Sequence, residues 1–183
     1  MSLPDVGLIL PSPRKVGTKL KLSGALSPNL DIPPQVIVHS SLSRARDTAH
    51  ILNKSLGLPT LEDPNLCEFD AGDLEGSPYP VFRDFVSRGE DPPGGETHIA
   101  FRERIRSALG LAVSQNPSPV LVVSHGGVFR AFGEIYQFPL RGINNCTLYE
   151  FEPLTNSHGI PWRIWYYDAS GNKAEHITQV QPI

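Results

Sequence analysis

Three short apolar runs, VGLIL at 6–10, VIVHS at 36–40 and VLVVSH at 120–125, constrain the fold of this chain more than any other feature. Each runs on without polar alternation until its last residue or two, as strands covered on both faces of a parallel sheet do. Parallel neighbours are joined by crossovers, usually helical. The stretches Ser43–Leu56, His98–Ser114 and Gly126–Tyr136 have helical spacing; in the last, Phe129, Phe132 and Ile135 recur at intervals near 3.6. Alternating strands and helices predict an α/β fold, a three-layer α/β/α arrangement around a mostly parallel central sheet. The later segments TLYEFEPL (147–154), RIWYYD (163–168) and HITQVQ (176–181) carry β-branched and aromatic residues, with turn signals at Asn156–Gly159 and Ser170–Asn172. They are expected to form the far, partly antiparallel edge of the sheet.

At 183 residues the chain suffices for one core, and a single domain over 1–183 is expected. The 18 prolines fall in connections such as SPNLDIPP and DPPGG, without a repeat. Residues 77–96, with the amphipathic piece YPVFRDFVSRG, read as a small lid-like insertion above the sheet. A net charge of -3 and a pI near 6.0 supply no basic field for a nucleic acid. No apolar run approaches the roughly 20 residues that cross a bilayer, so no membrane partner is expected. The start MSLPDVGLIL lacks the pattern of a secretion signal, which makes the cytoplasm the expected location. Cys67 and Cys146 make neither a disulfide framework nor a C-x-x-C pair, and read as buried small apolar residues. Oligomeric state is not legible at this level.

Four segments carry candidate chemistry. In LVVSHGGVFRAF a buried strand ends at His125, and Gly126 and Gly127 turn the chain into a helix whose first N–H groups favour an anion. His125 is either a phosphate contact or a strand-end residue bonded to the backbone; the segment alone does not choose. In VIVHSSLSRARDTAHIL the first turn of a helix holds Arg44 and Arg46; an arginine fork suits two phosphate oxygens, while the plainer reading is solvated surface paired with Asp47. If both strands lie in one sheet, Arg44 and His125 emerge at the same edge. LCEFDAGDLEG packs Glu68, Asp70, Asp73 and Glu75 into eight residues but fits a calcium loop poorly. A lone carboxylate beside a phosphate is a usable proton donor, because the neighbouring anion favours the protonated form; Glu68, between apolar neighbours, is the candidate. In PPGGETHIAFRERI, Glu96 stands at the start of a long helix, where capping explains an acid.

Taken in this order, the segments resemble the histidine phosphatase superfamily, which includes phosphoglycerate mutases and many small phosphatases, over about residues 36–150. SLSRARDTA is similar to the family's S-P-L-x-R-A-x-x-T-A, LCEFDAGDLEG to L-x-E-x-x-x-G-x-x-E-G, PPGGET to P-G-G-E-S, and VSHGGVFR to the segment of the second histidine. The resemblance implies a phosphoglycerate-mutase-like fold, phosphate held by Arg44, His125 and Gly126, and a proton donor at Glu68. It implies hydrolysis of a small phosphorylated molecule, with no cofactor or metal.

In that family another histidine, in an R-H-G motif after the first strand, attacks phosphorus. This sequence contains no R-H-G: VGLIL is followed by PSPRKVG, and the stretch before VIVHS is about 20 residues shorter than a strand-loop-helix unit leads one to expect. Either the chain is shorter than a functional parent, or it binds phosphorylated ligands without turning them over, or another group substitutes. His39 and Arg14 are the nearby residues of suitable chemistry, though His39 reads more simply as a satisfied turn residue. The expected function is therefore a phosphomonoesterase, the alternative an inactive ligand-binding or protein-interaction domain on the same scaffold.

Overall fold

The computed structural model describes residues 7–11, 30, 33–137, 143–154, 162–168 and 170–176. The apolar runs become β1 (Gly7–Pro11), β2 (Val36–His39) and β4 (Val120–Ser124). They are mutually parallel, with β4 in the middle: β1 pairs with it from Gly7↔Val120 to Pro11↔Ser124, and β2 from Val36↔Val120 to His39↔Val123. A short strand without an apolar signature, β3 (Thr60–Glu62), extends this parallel side beyond β2. On the other side β5 (Leu148–Pro153), β6 (Trp162–Tyr167) and β7 (Lys173–Glu175) add antiparallel strands. Among the described residues the sheet order is β3-β2-β4-β1-β5-β6-β7. The last strand therefore precedes the expected HITQVQ, of which only His176 is described. The turn expected at Asn156–Gly159 and Arg14 also lie outside the described residues, whereas Ser170–Asn172 does form a turn around the Asp168 carboxylate.

Strand alternation sends side chains to two cores. Val36, Val38, Val120 and Val122 face α3 (His98–Ser114) and α4 (Gly126–Ile135), where Phe101, Ile105, Phe129 and Phe132 pack. Ile37, Leu121 and Val123 face Ala45, Ala49 and Leu52 of α1 (Ser43–Leu56). Helices on both faces make the three-layer α/β/α arrangement, and they explain why these strands read as continuous apolar runs.

The helix starts bear on the site. α1 begins after Leu42, which offers no side-chain cap, and ends at Gly57, whose φ of 64° closes the last turn through a bond to Asn53. α3 is capped by Thr97, whose hydroxyl accepts the Ala100 N–H at 3.1 Å. The expectation that Glu96 caps this helix is corrected: its carboxylate binds Arg104 through two bonds, of 2.8 and 2.7 Å. The 77–96 segment contains α2 (Tyr79–Ser87). No helix of the described residues is long and apolar enough to cross a membrane.

Candidate active site

At the carboxyl edge of the parallel strands, β2 runs into α1 and β4 into α4. Arg44, in the first turn of α1, donates from Nε to Nδ1 of His125 at 3.2 Å, across 81 residues of sequence. Strands β2 and β4 are direct neighbours, so residues leaving their ends meet in space, as ligand sites in open α/β sheets do. His125 is the residue on which α4 starts, and it is 1% exposed. Its Nε2 lies 2.8 Å from the Ser40 hydroxyl. Burial, then the Arg44 and Arg104 cations, lower its pKa to about 3, so its imidazole is neutral at working pH.

Glu68 approaches from the loop between two 3₁₀ turns, Pro64–Leu66 and Gly72–Leu74. One carboxylate oxygen accepts the Phe69 N–H at 3.0 Å, the other the Gly127 N–H at 3.2 Å. A Cβ on Gly127 would collide with Glu68 Oε1, whereas one on Gly126 would meet nothing within 4 Å. Gly127 thus lets the carboxylate reach the helix start, and Gly126 leaves its side of that start open.

These groups share a cavity of about 960 Å³, lined by Arg44, Glu68, His125, Gly126 and Gly127. Leu42, Leu74 and Phe82 of α2 supply apolar wall, and Asp70, Glu75 and Arg130 further charge. Arg44, Glu68, His125 and Gly126 are therefore brought together. His39 is not: it is 3% exposed, with Nδ1 at 2.9 Å from the Ser40 carbonyl, and does not line the cavity. Cys67, expected as a buried apolar residue, is only half-buried on the cavity wall, and the Ser40 and Ser41 hydroxyls lie 3.3 and 3.1 Å from its sulfur. Cys146 is likewise half-buried, packed beside the α1 core, and burial pushes its thiol pKa up. Among the described residues no group of three or more His, Cys, Asp or Glu side chains is placed to hold a metal ion.

The supporting frame was not visible in the sequence. Arg104, besides binding Glu96, donates to the carbonyls of Asn65 at 2.7 Å and Cys67 at 3.1 Å, tying the Glu68 loop to α3. Gly72 and Gly95 allow two loops to touch: Glu96 N–H donates to the Asp70 carbonyl at 3.0 Å and Asp73 N–H to the Pro93 carbonyl at 2.9 Å. A Cβ on Gly95 would lie 2.6 Å from the Asp70 oxygen. Ser40 and Arg104 were missed because the signal for each is a partner more than 25 residues away.

A family model described as the histidine phosphatase superfamily (branch 1) matches residues 23–160. The chain is 32% identical over 130 residues to a metal-independent phosphoserine phosphatase of Arabidopsis thaliana, covering 64% of this chain and 55% of that protein. It is 35% identical over 104 residues to the uncharacterized phosphatase PhoE of Bacillus subtilis, covering 55% and 52%. It thus spans about half the length of these two curated relatives. In structure it is similar to native mycobacterial glucosyl-3-phosphoglycerate phosphatase, with a TM-score of 0.67, 22% identity, and coverage of 89% of this chain and 97% of that one. That likeness bears on the fold. The match to the family model covers most of the chain and all four of the site segments, and the chain belongs to the histidine phosphatase superfamily.

Proposed function

We propose that this chain hydrolyses small phosphomonoesters, with Arg44, held in place by His125, and the Gly126 N–H binding the phosphate and Glu68 protonating the leaving oxygen. The observation that carries the reading is the 3.2 Å contact between Arg44 and His125, with Glu68 at the adjoining helix start in the same cavity. Arg44 uses only Nε on His125; among the described residues no hydrogen bond or ion pair takes its two terminal nitrogens, which suit two phosphate oxygens. The helix N-terminus adds favourable backbone dipoles. In the reaction the bond from phosphorus to the ester oxygen breaks as one to the attacking atom forms, and the departing oxygen takes the Glu68 proton. The named phosphoserine and glucosyl-3-phosphoglycerate activities of similar proteins support a small substrate. We read the whole chain, 1–183, as one such domain, acting in the cytoplasm on a small phosphorylated ligand without metal, with 77–96 as its lid.

The source of the attacking group gives the second reading its weight. β1 ends at Pro11, paired with Ser124 immediately before His125, and the next residues in sequence are Ser12, Pro13 and Arg14 in place of R-H-G. These three lie outside the described residues. A domain that keeps the phosphate pocket and binds without turnover follows if nothing replaces the absent histidine. Phosphate release from an aryl phosphate without added metal, for the unaltered chain beside Arg44→Ala and His125→Ala, decides between the readings. Release abolished by both substitutions supports hydrolysis, as does acid-labile phosphate trapped on the chain. No release from the unaltered chain, with phosphate binding that Arg44→Ala removes, supports the ligand-binding domain.

A further inference from the structure

Ser40 sits in the turn between β2 and α1 with 0% exposure, and its hydroxyl meets three groups. It accepts the Leu42 N–H at 3.2 Å, donates to Cys67 Sγ at 3.3 Å, and lies 2.8 Å from His125 Nε2. The direction of the last bond follows from Arg44. A guanidinium has donors and no acceptor, so the contact from Arg44 Nε requires a lone pair on His125 Nδ1. A neutral imidazole then carries its proton on Nε2, and that N–H donates to Ser40. The hydroxyl proton is already directed at Cys67, which leaves both oxygen lone pairs for the two donors, Leu42 N–H and His125 Nε2–H.

We propose that Ser40 is a positioning residue of the phosphate site: by accepting the Nε2 proton it fixes the tautomer of His125, and thereby keeps Nδ1 as the acceptor that holds the Arg44 guanidinium at the cavity. The inference rests on the phosphomonoester reading of that cavity. Ser40 does not itself line the cavity, so its effect passes through His125. It also stands four residues before Arg44, so one turn places both the arginine and the group that orients the arginine's partner. Removing the hydroxyl withdraws an acceptor from a buried N–H and favours transfer of the proton to Nδ1. There it would oppose the Arg44 N–H donor to donor, and the guanidinium would swing away.

The test uses the full chain labelled with ¹⁵N-histidine. Long-range ¹H–¹⁵N correlation reads the His125 tautomer, and calorimetry reads the affinity for inorganic phosphate. The unaltered chain should show the Nε2–H form. Ser40→Ala should shift His125 toward the Nδ1–H form and weaken phosphate binding by roughly ten-fold. Ser41→Ala, which removes a hydroxyl held by Cys67 alone among the described residues, should change neither. Should Ser40→Ala not fold, Ser40→Cys, which offers only a weak acceptor of similar size, carries the same comparison. An Nδ1–H form in the unaltered chain, or a Ser40→Ala chain with unchanged tautomer or unchanged phosphate affinity, would overturn the proposal. Absence of phosphate binding to the unaltered chain would sink the reading of the cavity instead, and the tautomer spectrum would still decide whether Ser40 orients His125.

Discussion

At His125 burial removes the water that an imidazolium needs, and the Arg44 and Arg104 cations add repulsion, so the pKa falls from 6.5 to about 3. Between these two values the unfolded chain binds a proton that the folded chain refuses. The stabilisation is fully present above pH 6.5 and is lost as pH falls toward 3, with a slope of up to about 1.4 kcal/mol per pH unit. Urea unfolding at pH 7, 6 and 5 should therefore show a steeper loss for the unaltered chain than for His125→Gln, and parallel slopes would contradict a neutral His125. The neighbouring glycines separate two roles that the sequence joined. Gly127→Ala should displace Glu68, cost about 1–3 kcal/mol and abolish aryl phosphate turnover, because its Cβ would occupy the carboxylate's place. Gly126→Ala meets open space, and thermal unfolding of the two variants should rank them in that order. Arg44, Glu68 and His125 could be singled out as candidates because each stands in a motif whose residue type suits phosphate chemistry, and the structure brings the three to one cavity. Which glycine was indispensable was not, because the reason is a side chain 59 residues earlier in the chain.

Elements are legible where one of their faces is buried and silent where none is. The strands β2 and β4 are buried at every position and read directly as apolar runs, whereas Thr60–Glu62 is exposed or half-exposed and becomes a strand only by pairing with β2. Glu96 failed as a cap because local sequence favours an acid at a helix start, but the Arg104 guanidinium, further along the same helix, takes its carboxylate instead. That arginine is the joint between elements. Arg104 and Glu96 have side chains only 22% and 15% exposed, and Arg104 also holds the carbonyls on either side of Leu66 in the Glu68 loop. Arg104→Met should cost about 2 kcal/mol in urea unfolding, between the near-zero worth of exposed pairs and the larger loss when a buried partner is stranded. Arg83→Met breaks a pair whose members are each 62% exposed and should change stability by about 0.5 kcal/mol or less. Equal effects of the two would mean that Arg104 is no more than a surface charge.

Across the whole molecule the sheet divides its labour. The cavity is built where the parallel strands β2 and β4 end, while β5, β6 and β7 close the other side with antiparallel pairs. The three layers followed from unbroken apolar runs alternating with helical stretches, and the partly antiparallel edge from β-branched and aromatic segments between turn signals, but the placing of β1 between β4 and β5 did not, since strand order depends on long-range pairings that leave no periodic trace. The antiparallel side has its own polar cluster: Tyr167 donates from its hydroxyl to one oxygen of Glu150, and Lys173 donates to the other at 3.1 Å. Burial and the Glu150 carboxylate push the Tyr167 phenol pKa upward, so the hydroxyl remains a donor at every working pH. None of these three residues lines the cavity. Tyr167→Phe removes one bond to a carboxylate that keeps its lysine, and should lower unfolding free energy by about 1–2 kcal/mol. Because sites without shared partners act independently, calorimetry should find the inorganic phosphate Kd of Tyr167→Phe within roughly two-fold of the unaltered chain. A phosphate affinity that falls with this stability would mean instead that the antiparallel edge transmits strain through β1 and β4 to His125, and that the cavity is set by the whole sheet rather than by its parallel part.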